Sequence, residues 1–322
     1  MSIVSTVPGR TDELLRIGPA HVDETRIIHY QLQSCFQRRA NADGTPAFTD
    51  LRIIEPSCGI DAATRFLYVL PVQPGTPLSM GSRWTMAYGD GIAAMRALDV
   101  ANIYNVLVVE PGFNAVDFTS NDPASGPAPW YGDSPSNPQI RQESYIVRDI
   151  VPTVDAMYPS ASRVRMLIGY SKSGWGAINL LLRHPDLFAS AAAWDAPLMM
   201  REISPCHYAN EDIVYGRDNA YFDRVYRLDA HIASASALKA ARRIWIGINA
   251  APPLQPSTRP YAGNFPQQGV DFTKVLDASN IPYTLHWPTR QVRHSWSPTT
   301  VDGKEIYWET GALEFLLGDQ RP

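Results

Sequence analysis

Ser171 sits in the run Met166-Leu167-Ile168-Gly169-Tyr170-Ser171-Lys172-Ser173-Gly174-Trp175-Gly176, where an apolar stretch gives way to small residues and then to helix formers. The pattern reads as a strand, a sharp turn and the start of a helix, and a serine at such a turn is presented as a nucleophile. To lift its hydroxyl clear of a sheet, the chain must reverse so tightly that the residues two before and two after it nearly touch, so both must be small. Around Ser171 these are Gly169 and Ser173; around Ser173 they would be Ser171 and Trp175, and an indole does not fit. The steric test selects Ser171. Ser173 stands where G-x-S-x-G has its second glycine, and Gly174 follows it. The competing reading is structural, a small-residue turn or one that seats a phosphate on the helix N-terminus. A phosphate loop needs G-x-x-x-x-G-K-[ST], whereas strand residues precede Lys172-Ser173, which weighs against it.

A serine hydroxyl is a poor nucleophile near neutral pH unless an imidazole takes its proton. Of the seven histidines, His21 and His29 fall in an N-terminal extension, His184 at a helix exit, His207 and His231 in or just after the segment 196–230, and His286 inside an expected strand. His294, in Val292-Arg293-His294-Ser295-Trp296, falls in a loop after the last expected strand and before the final helix. It also completes the chain order serine, acid, histidine. The acid must come from the carboxyl end of a strand to reach that loop. Asp195, in Ala193-Trp194-Asp195-Ala196-Pro197, follows directly on a strand and is the expected carboxylate, with Asp271 in reserve and Asp229 reading as a helix cap. After the strand ending at Ile248 the chain has Asn249, and an amide cannot stabilise an imidazolium by charge.

The elements that must position these groups follow from apolar patterning. Segments 26–33 and 50–54 alternate or carry β-branched residues and suit edge strands. From residue 65 the pattern becomes apolar runs separated by helical stretches, the signature of βαβ crossovers and a parallel sheet. Strands are expected at 66–70, 105–109, 164–168, 187–193, 243–248 and 283–287, with helices at 91–98, 175–183 and 307–317. Asn137-Pro138 should open a further helix running towards Tyr158, kinked at Pro152. The loop 110–137 is too long for a plain connector and favours a binding role. Segment 196–230 has no clear period and reads as a cap over the carboxyl edge of the sheet, or as an elaborated crossover.

A chain of 322 residues with net charge −4 has no basic field for nucleic acid. No apolar run approaches membrane-spanning length, and the N-terminus lacks the features of a secretory signal, so a cytoplasmic protein is expected. The three cysteines, Cys35, Cys58 and Cys206, show neither a disulfide framework nor metal-ligand spacing. With no HExxH, CxxC pair or dinucleotide fingerprint, no metal and no cofactor is implied.

Taken together, Gly169 to Gly176, Arg183-His184-Pro185-Asp186-Leu187-Phe188 and Arg293-His294-Ser295-Trp296 resemble α/β-hydrolases of the esterase D type, a group that includes feruloyl esterases and the mycolyltransferase antigens. The resemblance covers roughly 65–317. A subset of bacterial hydrolases similar to this chain shares Ala193-Trp194-Asp195-Ala196-Pro197, Pro129-Trp130-Tyr131-Gly132-Asp133 and the run from Gln139 to Tyr145, which supports Asp195. It implies one α/β-hydrolase domain over residues 1–322: a mostly parallel sheet flanked by helices, antiparallel edge strands in 1–64, a core of 65–195 and 231–322, and a small cap-like insertion at 196–230.

The implied chemistry is hydrolysis of a small-molecule or polymer-linked carboxylic ester through an acyl-enzyme on Ser171, with His294 as base and Asp195 holding the imidazole. The oxyanion would need backbone donors, which geometry assigns to the N–H of Lys172 and to one after the 66–70 strand, at Val72 or Gln73. Trp130, Tyr131 and Trp296 are candidates to line an acyl or aromatic subsite, against the alternative that they fill the core. The Lys172 side chain reads as a contact for anionic substrates or as an outward-pointing surface charge. Two other functions stay open: acyl transfer to an alcohol on the same triad, and an inactive hydrolase fold that binds a partner, for which Asn249 is the best support.

Overall fold

The computed structural model describes residues 3–4, 16–17, 21–23, 26–37, 40, 43–72, 90–112, 130–203, 214–254, 260–289, 292, 294–296 and 308–318. Alternating and continuous apolar runs produce eleven strands: β1 (Ile3–Val4), β2 (Arg16–Ile17), β3 (His21–Val22), β4 (Ile28–Gln33), β5 (Thr49–Ile54), β6 (Arg65–Val69), β7 (Val106–Pro111), β8 (Arg165–Tyr170), β9 (Ser190–Trp194), β10 (Ile244–Gly247) and β11 (Tyr283–His286). They form one sheet in the order β1-β2-β4-β5-β7-β6-β8-β9-β10-β11, with β3 beside β4. From β7 to β11 every pairing is parallel. The N-terminal pairings are antiparallel, as expected of that extension. One expectation is corrected: β5 is no edge, because β7 pairs with its other side.

Period-two alternation decides where the core lies. Phe66, Tyr68 and Leu70 join Leu107, Val109, Leu167, Ala191, Ala193 and Ile246 in one buried cluster. The residues between them, Leu67, Val69, Val106, Val108, Met166, Ile168, Ala192 and Trp194, join a second. The sheet is therefore apolar on both faces, and helices must cover both. Helix α1 (Gly91–Ala97) contributes Ile92 and Met95 to the second cluster. Helices α2 (Val151–Met157), α3 (Ser171–Arg183) and α4 (Phe265–Ala278) contribute Val154, Trp175, Ile178 and Phe272 to the first.

Two local departures have simple causes. Asn137 does not cap a helix; its side chain accepts the Gln139 N–H at 2.9 Å and its carbonyl accepts the Ile140 N–H at 3.1 Å, a tight turn that delays the helix to Gln142. Next, Tyr145–Ile150 is wound as a π-helix directly before α2, whose first turn holds Pro152. Proline brings no N–H and crowds the carbonyl four residues back, and the wider winding makes room for it. The described part of segment 196–230 puts Leu198, Met199, Tyr215, Phe222 and Tyr226 into the first core, on the same side of the sheet as α3. No helix among the described residues is long and apolar enough to cross a membrane.

Candidate active site

The parallel register of β8 and β9 sets the site. Tyr170 pairs with Trp194, so the next residue of each strand, Ser171 and Asp195, leaves the sheet at the same level. The Ser171 N–H then donates to the Asp195 carbonyl at 3.1 Å, and the Asp195 N–H to the Gly247 carbonyl at 3.2 Å. Both residues turn out of the sheet in the left-handed region, with φ of 52° at Ser171 and 45° at Asp195. A non-glycine residue is held there only when its surroundings demand it.

At Ser171 the demand is visible. A Cβ on Gly169 would lie 2.4 Å from the Ser173 carbonyl oxygen, a contact no side chain survives, so the close approach expected from the sequence is present. Ser173 is fully buried, and its hydroxyl accepts the Tyr170 N–H at 3.0 Å while donating to the Tyr170 carbonyl at 2.8 Å. That hydroxyl is occupied in closing the turn. Ser171, by contrast, is half-buried at the first position of α3.

Asp195 is 4% exposed, and its carboxylate bonds through Oδ2 to Nδ1 of His294. The imidazole stands edge-on to Tyr170, with ring centroids 5.1 Å apart at 77°, and Phe265 lies 5.8 Å away. The three residues picked out by type and order are thus gathered around one residue: Ser171 on the carbonyl of Asp195, His294 on its carboxylate. Asn249 has a different role from an acid. Its carbonyl accepts the Val292 N–H at 2.9 Å and so ties the loop carrying His294 to the end of β10. Asp271 is corrected as reserve acid: on α4 its carboxylate is engaged by Tyr261 at 3.0 Å, Gln267 at 3.1 Å and Lys274 at 2.7 Å. Asp229 lies in the first turn of a short helix, Leu228–Ile232, paired with Arg227.

Of the expected oxyanion donors, the Lys172 N–H is in the first turn of α3, where backbone N–H groups have no partner within the helix. Val72 follows the end of β6, and Gln73 lies outside the described residues. The Lys172 side chain is corrected from an outward surface charge: it is 5% exposed, and burial pulls its amine down to about 7. The aromatic subsite is corrected as well. Trp130, Tyr131 and Trp296 are 1%, 0% and 2% exposed, too deep to offer a face to substrate. Trp130 meets Trp175 edge to face at 5.5 Å, and Trp296 packs against Tyr170, Trp194 and Trp308. Phe265 beside His294 could not be foreseen from spacing, since the two meet only through the fold.

Comparison with known proteins agrees with this architecture. A family model described as "Putative esterase" matches residues 92–298, nearly two thirds of the chain. Among curated proteins none matches the sequence. The chain superposes on an S-formylglutathione hydrolase from Agrobacterium tumefaciens with a TM-score of 0.58 at 14% identity, covering 95% of this chain and 99% of that one. For MPT51 of Mycobacterium tuberculosis the TM-score is 0.57 at 12% identity, with 95% and 100% covered. For the fluorophosphonate-binding serine hydrolase F of Staphylococcus aureus it is 0.54 at 15% identity, again with 95% and 100% covered. At such identities the likeness speaks for the fold alone.

Proposed function

Because the chain belongs to the esterase family, we propose that it hydrolyses carboxylic esters through an acyl-enzyme on Ser171, with His294 as general base and Asp195 as the partner of the imidazole. The observation that carries the reading is the bond from the Asp195 carboxylate to His294 Nδ1, beside a serine held in a strained turn. A carboxylate on Nδ1 leaves Nε2 as the acceptor for the serine proton and stabilises the imidazolium that results. Ser171 Oγ attacks the ester carbonyl as its proton passes to His294. The negative charge on the carbonyl oxygen is met by the N–H of Lys172 and by one from the chain leaving β6, at Val72 or Gln73. Collapse of the tetrahedral intermediate expels the alcohol, which takes the proton from His294. Water, activated by the same imidazole, then releases the acid and restores Ser171.

Asn249 after β10 is no acid, but the carboxylate of Asp195, at the end of β9, reaches the imidazole, which supports an active enzyme over an inactive fold that binds a partner. Acyl transfer to an alcohol uses the same acyl-enzyme and is separated by products: an activated ester is incubated with and without acceptor alcohols and the acyl products are identified. The main test is a p-nitrophenyl ester series. Ser171→Ala and His294→Ala are expected to abolish turnover and Asp195→Asn to lower kcat about 10⁴-fold, the loss typical of an imidazole deprived of its carboxylate. Asp271→Asn is expected to stay within twofold of wild type. A fluorophosphonate should label the Ser171 peptide; no label there, or full activity in Asp195→Asn, would overturn the assignment.

A further inference from the structure

Tyr131 lies wholly buried between the helix that begins at Ser171 and the end of β6. Its ring rests on Gly176 of α3, where a Cβ would come within 2.3 Å of the ring atoms Cγ and Cδ2. Its carbonyl accepts Asn179 Nδ2 from the next turn of α3 at 2.8 Å. Its hydroxyl donates to the Pro71 carbonyl at 2.5 Å. Burial, with the charge of Glu110 nearby, pushes the phenol far above its ordinary titration range, so the group stays a donor at working pH.

The Pro71 carbonyl and the Val72 N–H are the two ends of a single peptide plane, and in a trans peptide they point in opposite directions. Upstream, the Leu70 N–H is fixed on the Ile168 carbonyl of β8 at 2.9 Å, and the ring of Pro71 sets its φ. The ψ of Pro71 is then the rotation that turns this plane, and the Tyr131 hydroxyl holds it.

We infer that Tyr131 is a positioning residue: seated on the helix of the nucleophile, it clamps the Pro71 carbonyl and thereby aims the Val72 N–H as an oxyanion donor. The inference rests on the acyl-enzyme reading of Ser171 and on Val72, not Gln73, giving the second donor. Its logic is that one rigid part, α3, sets both the nucleophile and, through Tyr131, the donor that must face it. Preorganised donors act only when they point at the oxygen as its charge develops.

The test compares Tyr131→Phe with Tyr158→Phe. Tyr158 gives its hydroxyl to Glu55 at 2.8 Å, at the edge of the sheet opposite the candidate site, and so controls for loss of a packed tyrosine hydroxyl. Steady-state hydrolysis of p-nitrophenyl acetate is read together with inhibition by an aryl trifluoromethyl ketone, whose serine adduct carries the oxyanion, and with the melting temperature. Losing an oxyanion donor outright costs about 10²- to 10³-fold in kcat, and a plane that is merely freed loses less. Tyr131→Phe is therefore expected to lower kcat about tenfold with KM nearly unchanged, and to weaken the ketone by the same factor. Tyr158→Phe should melt earlier with both constants intact. Pro71→Ala loosens the same plane with Tyr131 in place, should shift kcat and ketone affinity in the same sense, and decides the matter if Tyr131→Phe does not fold. Wild-type kcat and ketone affinity in Tyr131→Phe, or equal losses in both tyrosine variants, overturn the inference. Those results beside an inactive Ser171→Ala leave the acyl-enzyme reading standing, whereas an active Ser171→Ala removes both.

Discussion

Ser173 shows how a departure from a motif is absorbed at one side chain. A glycine there would take away the hydroxyl that binds both the N–H and the carbonyl of Tyr170. The serine hydroxyl serves both, at 3.0 and 2.8 Å. Ser173→Ala keeps the Cβ, and so adds no clash, but removes the hydroxyl that the Tyr170 N–H donates to; it should cost about 1–3 kcal/mol in denaturant unfolding. Ser171, Asp195 and His294 could be nominated from the sequence because acyl transfer on a serine calls for those residue types and the resembled fold for that chain order. The work of Tyr131 could not, since its hydroxyl meets a carbonyl 60 positions away and no spacing announces such a contact. Burial of Trp130 and Trp296 was equally hidden: an aromatic residue in a loop looks the same whether it faces substrate or core.

Arg183 and His184, at the end of α3, both reach Glu143, at 2.8 and 2.7 Å, and bind the nucleophile's helix to the one ahead of α2. Burial raises the Glu143 carboxyl, but the bonds from His184 and Arg183 outweigh it and hold the group below its ordinary 4.5. A carboxylate with a depressed folded-state pKa lends stability that is fully present above the unfolded value and is lost as pH falls through the folded one. Glu143→Gln should therefore be less stable than wild type at pH 7, with the gap closing as pH falls below the ordinary 4.5 and through the lower folded-state value, as chemical melts across that range would measure. Strand and helix identities were legible along most of the chain because buried parallel strands carry continuous apolar runs. Boundaries were not, as at Asn137, where side-chain bonding to nearby backbone competes with helix initiation.

For the molecule as a whole, the shared direction of the parallel strands β6, β8, β9 and β10 puts Ser171 and Asp195 at one edge of the sheet, the carboxyl one. Lys172, next in the chain to Ser171, is buried, and desolvation lowers its amine from 10.5 to about 7. Below pH 7 folded and unfolded chains both hold the proton, and the folded state bears the full penalty. Between about 7 and 10.5 only the unfolded chain holds it, so stability rises with pH across that window. Lys172→Met should accordingly raise the melting temperature at pH 6.5 and lose that advantage towards pH 10, roughly, as scanning calorimetry would record. Fold class was the most legible property, since it follows from patterning repeated over many segments, while the register that levels Ser171 with Asp195 comes from pairing between distant strands.

The main-chain bond from the Ser171 N–H to the Asp195 carbonyl has a dynamic corollary. Because that bond joins the first residue after β8 to the first residue after β9, a displacement of either strand end passes to the other, and the backbones that carry Ser171 and Asp195 shift together.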